Sequence, residues 1–289
     1  MEYVLNHNVL IQSNLKKYKK LNLLVKIVSR MDSLVLAYSG GVDSTFLAVI
    51  SNYALGNNMI AVIADSPSLP KSELEYATNN AKKYRIPYIV IKTQEMMRND
   101  YIENDFNRCY FCKDELYNHL KPILNDKGFK FIVNGTNFDD LADYRPGLNA
   151  AKDHDVLSPL AEACLTKGDI RQLSKLIGLP TWDKPAQACL SSRIPYGSKV
   201  TIDSLNKIEK AEIYLHEQGF EQVRVRHHDN IARIEIPQKD FINFLDVECR
   251  NKVTNYLKSL GYLYVTIDLN GFRSGSLNDV LTLSEKEST

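Results

Sequence analysis

Three sets of residues in this 289-residue chain have the types and spacing for chemistry. The first is Ser39-Gly40-Gly41-Val42-Asp43-Ser44, between the apolar run Leu34–Tyr38 and a helix-forming run from Thr45. Two glycines let the backbone turn tightly and approach a ligand. The unpaired N–H groups and positive dipole end of the following helix suit phosphate oxygens. Ser39 and Ser44 add hydroxyl donors, and Asp43 can orient the loop or assist a magnesium ion. The Gly-Lys-Ser/Thr element of a Walker loop is missing, and a plain Gly-rich turn is the alternative reading. The second set is thiols. Cys109-Tyr110-Phe111-Cys112 has a spacing that points to metal, cluster or redox chemistry in a reducing compartment. Cys189 lies in Lys184-Pro185-Ala186-Gln187-Ala188-Cys189-Leu190-Ser191-Ser192-Arg193, where a nearby cation favours thiolate; a small buried hydrophobe is the alternative. The third set is Arg224 and Arg226, alternating with Val223 and Val225, so that both guanidiniums leave one face of a strand and can clamp a phosphate. A solvated strand face is the alternative.

The elements that must carry these residues are readable from periodicity. A helix is expected from about 9 to 30, with Ile11, Leu15, Tyr18, Leu21, Val25 and Val28 on one side. Strands at 34–38, 60–64, 88–91 and 131–133 alternate with helices at 45–55, 71–84 and 113–120, the last placed before Pro122. That alternation implies crossover units and a mostly parallel sheet. Two further segments then fall at the sheet's carboxyl edge, where nucleotides bind. Asp65-Ser66 is placed for adenine or ribose. Gly135-Thr136-Asn137-Phe138-Asp139-Asp140 offers a glycine for close approach and paired aspartates for magnesium, with helix capping by Asn137 and Asp139 as the alternative. Thr166 to Asp169 fits a helix start, and Gly178 with Pro180 its stop. From about Thr201 a helix (202–218) precedes two alternating strands, 222–227 and 231–236, then another helix and a last strand at 263–269. The expected organisation is therefore an α/β domain over 1–198, an α+β domain for substrate binding or oligomerisation over 199–283, and a disordered tail at 284–289.

Bulk properties narrow the function class. A formal net charge of +1 gives no broad pull on a polyanion, so no nucleic-acid partner is expected. No run resembles a signal peptide or a membrane span, so the expected location is cytoplasmic with no membrane partner. Five cysteines, an odd set, argue against a secreted disulfide framework. Cys164 and Cys249 read as packing residues.

The SGGVDS string resembles the signature of the PP-loop ATP pyrophosphatases. The resemblance implies an adenine nucleotide alpha hydrolase-like, Rossmann-type fold that binds ATP with Mg2+, transfers AMP to a carboxylate or amide oxygen and releases pyrophosphate. The likeness narrows with Asn107-Arg108-Cys109-Tyr110-Phe111-Cys112-Lys113, Gly135-Thr136-Asn137, Arg145-Pro146-Gly147, Pro185 to Arg193, Val223 to His227 and Leu269 to Gly275. These motifs, in this order from about Leu34 to Ser276, are similar to those of the LarE family of sulfur transferases, which build the nickel-pincer nucleotide of lactate racemase. By that likeness, a carboxylate of pyridinium-3,5-biscarboxylic acid mononucleotide is adenylated and converted to a thiocarboxylate. The family has two chemistries. In one, a cysteine at the position of Cys189 gives up its own sulfur and becomes dehydroalanine. In the other, three cysteines hold a [4Fe-4S] cluster whose open iron carries a sulfide. Cys109, Cys112 and Cys189 together match the second, and zinc with a fourth ligand such as His119 or His154 is the competing metal reading. The likeness also points to Arg224 and Arg226 on the acceptor phosphate, and it implies a homo-oligomer and a sulfur donor, either a protein or free sulfide. Arg273 and Arg193 are further candidates for acceptor or pyrophosphate contacts. Glu235 is placed to balance the arginines, and Trp182 and Tyr196 to stack on the pyridinium ring or simply to pack. The rival readings are a tRNA-thiolating enzyme, against which the near-neutral charge speaks, and a non-catalytic nucleotide- or zinc-binding module.

Overall fold

Short apolar runs without polar alternation form a parallel sheet in the computed structural model of the chain, which describes residues 2–142, 146–273 and 275–280. The strands are β1 (Leu34–Ala37), β2 (Met59–Asp65), β3 (Tyr88–Lys92) and β4 (Phe131–Val133), in the order β3-β2-β1-β4. Every pairing is parallel. Three further strands, β5 (Arg224–His228), β6 (Ile231–Glu235) and β7 (Tyr264–Ile267), make a separate sheet. In chain order the helices are α1 (Glu2–Asn14), α2 (Lys19–Ser29), α3 (Val42–Leu55), α4 (Lys71–Lys83), α5 (Asn99–Ile102), α6 (Arg108–Asp126), α7 (Gly147–Asp153), α8 (Pro159–Glu162), α9 (Lys167–Leu176), α10 (Ile202–Glu217), α11 (Phe241–Leu245) and α12 (Val247–Ser259).

The chain divides into two units, Met1–Glu95 with Cys109–Gln187, and Met96–Arg108 with Ala188–Thr289. In the first unit the central strand β1 is buried along its whole length. Its side chains alternate between faces. Leu34 and Leu36 join Phe46, Leu47 and Ile50 of α3 and Leu21, Leu24 and Val28 of α2 in one core. Val35 and Ala37 join Tyr117 and Leu120 of α6 and Ala150 of α7 in the other. A sheet covered on both faces leaves its carboxyl edge as the open place for a ligand. In the second unit β5 and β6 form a hairpin, and β7 adds in parallel to β6. Val225, Ile234, Leu215, Val253 and Leu257 fill the core between this sheet and helices α10 and α12.

The structure departs from the sequence reading in three ways. The expected long N-terminal helix is two helices, broken at residues 15–18, where Tyr18 is extended (φ −112°, ψ 99°) ahead of α2. The side chain of Asn14 donates to the Leu10 carbonyl at 2.8 Å, a local bond that competes with helix continuation. Helix α6 begins at Arg108, so Cys109 and Cys112 both lie on it, and it runs through Pro122. Proline removes one donor but did not end this helix. The second unit also takes in residues 96–108 and starts at Ala188, where the sequence suggested a boundary near Ser198. The expected disordered tail, Arg145 and Ser274 lie outside the described residues.

Candidate functional site

The loop Ser39–Ser44 joins β1 to α3 at the carboxyl edge of the first sheet. Gly41 is the N-cap of α3 and contributes no side-chain cap, so the helix start keeps donors facing the loop. The Ser39 and Ser44 hydroxyls lie 3.0 Å apart, and the Ser39 amide donates to Ser44 Oγ at 3.3 Å. Gly40 has φ +72°, and a Cβ there would sit 2.7 Å from Ala77 Cβ of α4. Gly135, just after β4, packs so closely on the loop that a Cβ would meet the Ser44 amide nitrogen at 3.0 Å. Both glycines are therefore required by shape. We expect Gly40→Ala to raise the KM for ATP about tenfold or more, through an overpacking cost of roughly 1–3 kcal/mol. Steady-state kinetics alongside a melting curve would check that the fold persists.

Asp43 collects the remaining polar groups of this edge. Its Oδ2 accepts from Lys167 Nζ at 2.6 Å and from Asn137 Nδ2 at 3.5 Å. Its Oδ1 is buried and has no partner among the described residues, an orphan acceptor that suits a magnesium ion. Asn137 and Asp139 are engaged locally. Asn137 Oδ1 accepts from the Asp139 and Asp140 amides at 2.9 and 3.2 Å, while the Asp139 carboxylate accepts from the Lys167 amide at 2.8 Å. The capping alternative thus describes their contacts. Asp65 ends β2 half-buried, and the Ser66 hydroxyl beside it donates to buried Glu95. Lys167 was readable only as a helix start. Thr166 and Asp169 do form a capping box, and that box fixes the helix end carrying the lysine beside Asp43.

Cys109 (exposed) and Cys112 (half-buried) sit one turn apart on α6. Gly147 of the Arg-Pro-Gly motif packs against this turn, since a Cβ there would lie 3.1 Å from Lys113 Cγ and 3.6 Å from the Cys109 carbonyl. His119 and His154, the candidate fourth ligands of a zinc site, are paired with Glu115 (3.0 Å) and Asp114 (2.7 Å). Trp182 lies under Lys175, with its ring centroid 4.3 Å from Nζ. Cys109, Cys112 and Trp182 all belong to the first unit, Cys189 to the second. Among the described residues no three His, Cys, Asp or Glu side chains are gathered as metal ligands.

In the second unit Cys189 precedes a short 3-10 turn, Leu190–Arg193. Its carbonyl accepts from the Ser192 amide (3.0 Å) and hydroxyl (2.7 Å) and from Arg193 Nη1 (3.0 Å). Arg193 also donates to the Ala188 carbonyl and pairs two-pronged with Glu212 at 2.9 and 3.0 Å. Sequence reasoning missed Glu212, whose partner lies nineteen positions back in the chain. With its donors so engaged, buried Arg193 holds the cysteine loop rather than reaching out to an acceptor.

The two strand arginines differ. Arg226 pairs two-pronged with Glu235 (3.0 and 2.9 Å) and donates to the Ser192 carbonyl (2.7 Å) and the Ser276 hydroxyl (2.8 Å). Arg224 is only 7% exposed, yet it has no hydrogen-bond or ion-pair partner among the described residues. Its guanidinium lies 4.7 Å from the Phe272 ring centroid. Burial, and then the positive charges of Arg193 and Arg226, push its pKa down from the ordinary guanidinium range to about 10. The carboxylates of Glu212 and Glu235 act in the opposite sense through their charge, without a hydrogen bond to Arg224 among the described residues. Arg273 is exposed, and Tyr196 faces Arg108 at 5.8 Å.

Comparison with known proteins identifies the family. The NAD synthase family model matches residues 17–111, which include the phosphate loop. An uncharacterised protein of Synechocystis is 46% identical over 91% of this chain and 98% of its own length. An uncharacterised protein of Methanocaldococcus jannaschii is 30% identical over 90% of this chain and 98% of its own. The pyridinium-3,5-bisthiocarboxylic acid mononucleotide synthase of Lactiplantibacillus plantarum is 37% identical over 91% of this chain and 95% of its own. With that identity sustained along almost the whole of both chains, and a PP-loop domain matched independently at its start, the chain belongs to the LarE family of sulfurtransferases.

Proposed function

We propose that the chain adenylates a carboxylate of pyridinium-3,5-biscarboxylic acid mononucleotide with ATP and replaces one carboxylate oxygen by sulfur. The observation that carries this reading is Arg224, buried and without a hydrogen bond or ion pair among the described residues, in the same unit as the Cys189 loop, because a mononucleotide brings a phosphate that such a cation can bind. In the first half-reaction the substrate carboxylate attacks the α-phosphorus of ATP, and the bond to the β-phosphate breaks. The helix start at Gly41 and the Ser39 and Ser44 hydroxyls receive the phosphates. Asp43 Oδ1 would hold a magnesium ion, which would supply charge neutralisation for the departing pyrophosphate. Lys167, paired with Asp43 at 2.6 Å, supplies a second cation at the same place.

In the second half-reaction a sulfur nucleophile attacks the acyl carbon, and AMP leaves. Cys109 and Cys112, one helical turn apart, and Cys189 on its loop would hold a [4Fe-4S] cluster. When bound, such a cluster supplies a replaceable sulfide on its open iron. A second reading needs only the Cys189 loop, which lies within one unit. In it, Cys189 Sγ forms a thioester. Loss of the Cα proton and cleavage of the Cβ–Sγ bond then release the thiocarboxylate, leaving dehydroalanine at 189. Iron and acid-labile sulfide on anaerobically prepared protein separate the two. About four of each per chain, lost in Cys112→Ala, supports the reusable carrier. No iron after reconstitution, with residue 189 converted to dehydroalanine after one turnover, supports the sacrificial cysteine. A protein that releases no pyrophosphate when given ATP, magnesium and the mononucleotide would overturn the proposed function altogether.

A further inference from the structure

The structure assigns a positioning role to Tyr101, Asn104 and Arg108, which brace the Cys189 loop from a remote stretch of chain; this rests on the reading of Cys189 as the sulfur-handling residue. The segment 96–108 packs with residues 188–289 although some eighty positions separate it from the loop. Three side chains make the attachment. The Tyr101 hydroxyl, on a residue 1% exposed, lies 2.7 Å from Ser191 Oγ. Asn104 is fully buried and left-handed at φ +57°, a conformation that asparagine tolerates better than most side chains. Its Nδ2 donates to the Pro195 and Ser198 carbonyls at 2.8 Å each and to that of Ile194 at 3.4 Å. Arg108, 2% exposed, donates from Nη1 to the Ser191 carbonyl at 2.9 Å and to the Asn104 side-chain oxygen.

These contacts converge on the turn that carries the thiol. Ser191 is held at both its hydroxyl and its carbonyl, two residues after Cys189. Arg193 grips the same turn from the other side through Ala188 and Cys189. Arg226, beside the candidate phosphate cation on β5, donates to the Ser192 carbonyl at 2.7 Å. A turn tied by its own Arg193 and by side chains from two other segments suits a reacting atom that must meet an acyl carbon within a fraction of an ångström. The brace and the Cys189 loop belong to one unit and the phosphate loop to the other, so the brace is assigned to sulfur transfer and not to adenylation.

The test measures pyrophosphate release and thiocarboxylate formation together, in full-length wild type, Arg108→Gln, Arg108→Lys, Tyr101→Phe and Cys189→Ala. The brace predicts that Arg108→Gln keeps mononucleotide-dependent pyrophosphate release within about twofold while thiocarboxylate formed per pyrophosphate falls about tenfold or more. Arg108→Lys, which retains a donor and the charge, recovers part of that ratio, and Tyr101→Phe gives a smaller loss. An unchanged ratio in Arg108→Gln and Tyr101→Phe overturns the brace. So does an equal fall of both products, which marks general damage, and Tyr101→Phe guards against a misfolded arginine variant. Thiocarboxylate formation surviving in Cys189→Ala would instead overturn the underlying reading of Cys189, a result distinct from any outcome at Arg108.

Discussion

Replacing Cys189 with Ala is expected to abolish thiocarboxylate formation, by about a thousandfold or more, while the first half-reaction still yields pyrophosphate. The two outcomes separate because the chemistry is divided between the units. The phosphate loop, Asp43 and Lys167 belong to the first unit, and the Cys189 loop to the second. Losing the thiol removes no group of the phosphate loop. It also removes no side-chain hydrogen bond of the loop, since Arg193 and Ser192 bind the Cys189 carbonyl. The melting temperature of the variant should therefore stay close to wild type. Quenched-flow analysis with chromatography of the nucleotide products checks both halves. A variant that loses pyrophosphate release along with sulfur transfer would mean that Cys189 serves the adenylation site instead.

The strand arginines should respond in opposite ways. In Arg224→Met the KM for the mononucleotide is expected to rise about a hundredfold, the scale of a lost charge-assisted phosphate contact. The free protein should be as stable as wild type or more so, because a buried, unpaired charge has been removed. Arg226→Met leaves Glu235, 1% exposed, with only Arg233 at 3.3 Å, and should cost roughly 3 kcal/mol of stability. Thermal unfolding with and without the acceptor distinguishes them. The pH dependence follows from the same burial. Burial holds the folded Arg224 guanidinium at about 10, below its ordinary range. Above that pH the unfolded chain binds more protons, so the unfavourable contribution of this cation, constant below about pH 10, is relieved as pH rises further. Affinity for the acceptor's phosphate should fall through the same range, and the fall should be absent in Arg224→Met. Equal effects of the two substitutions would show that the pair acts as a single structural network.

The contrast between Arg224 and Arg226 shows where sequence reasoning stopped. Alternation with valines was enough to place both on one strand, and both are on β5. What decides their roles lies far along the chain: Glu235 on β6, the Ser192 carbonyl and the Ser276 hydroxyl take the donors of one and leave the other. The phosphate loop was readable because its strand, glycines and helix are contiguous, and the structure has the same strand–loop–helix order. Likewise the helix start at Thr166 is a local pattern and recurs as a capping box. Lys167 was not readable as a site residue, since only the fold sets it against Asp43, over a hundred positions away. The brace at 101–108 was hidden for the same reason. Its asparagine and arginine act through backbone carbonyls, which leave no mark in sequence. The start of α6 was missed because the Cys-x-x-Cys spacing was weighed for its chemistry, while the same i, i+3 spacing also fits one helical turn.

The measurement that tests the central claim most directly follows oxygen. With the acceptor's carboxylates labelled with oxygen-18, transfer of AMP to a carboxylate oxygen predicts that the released AMP carries one labelled atom and that the product carboxyl holds sulfur in its place. Unlabelled AMP accompanying pyrophosphate release would contradict the account, because water and not the carboxylate would then have attacked ATP.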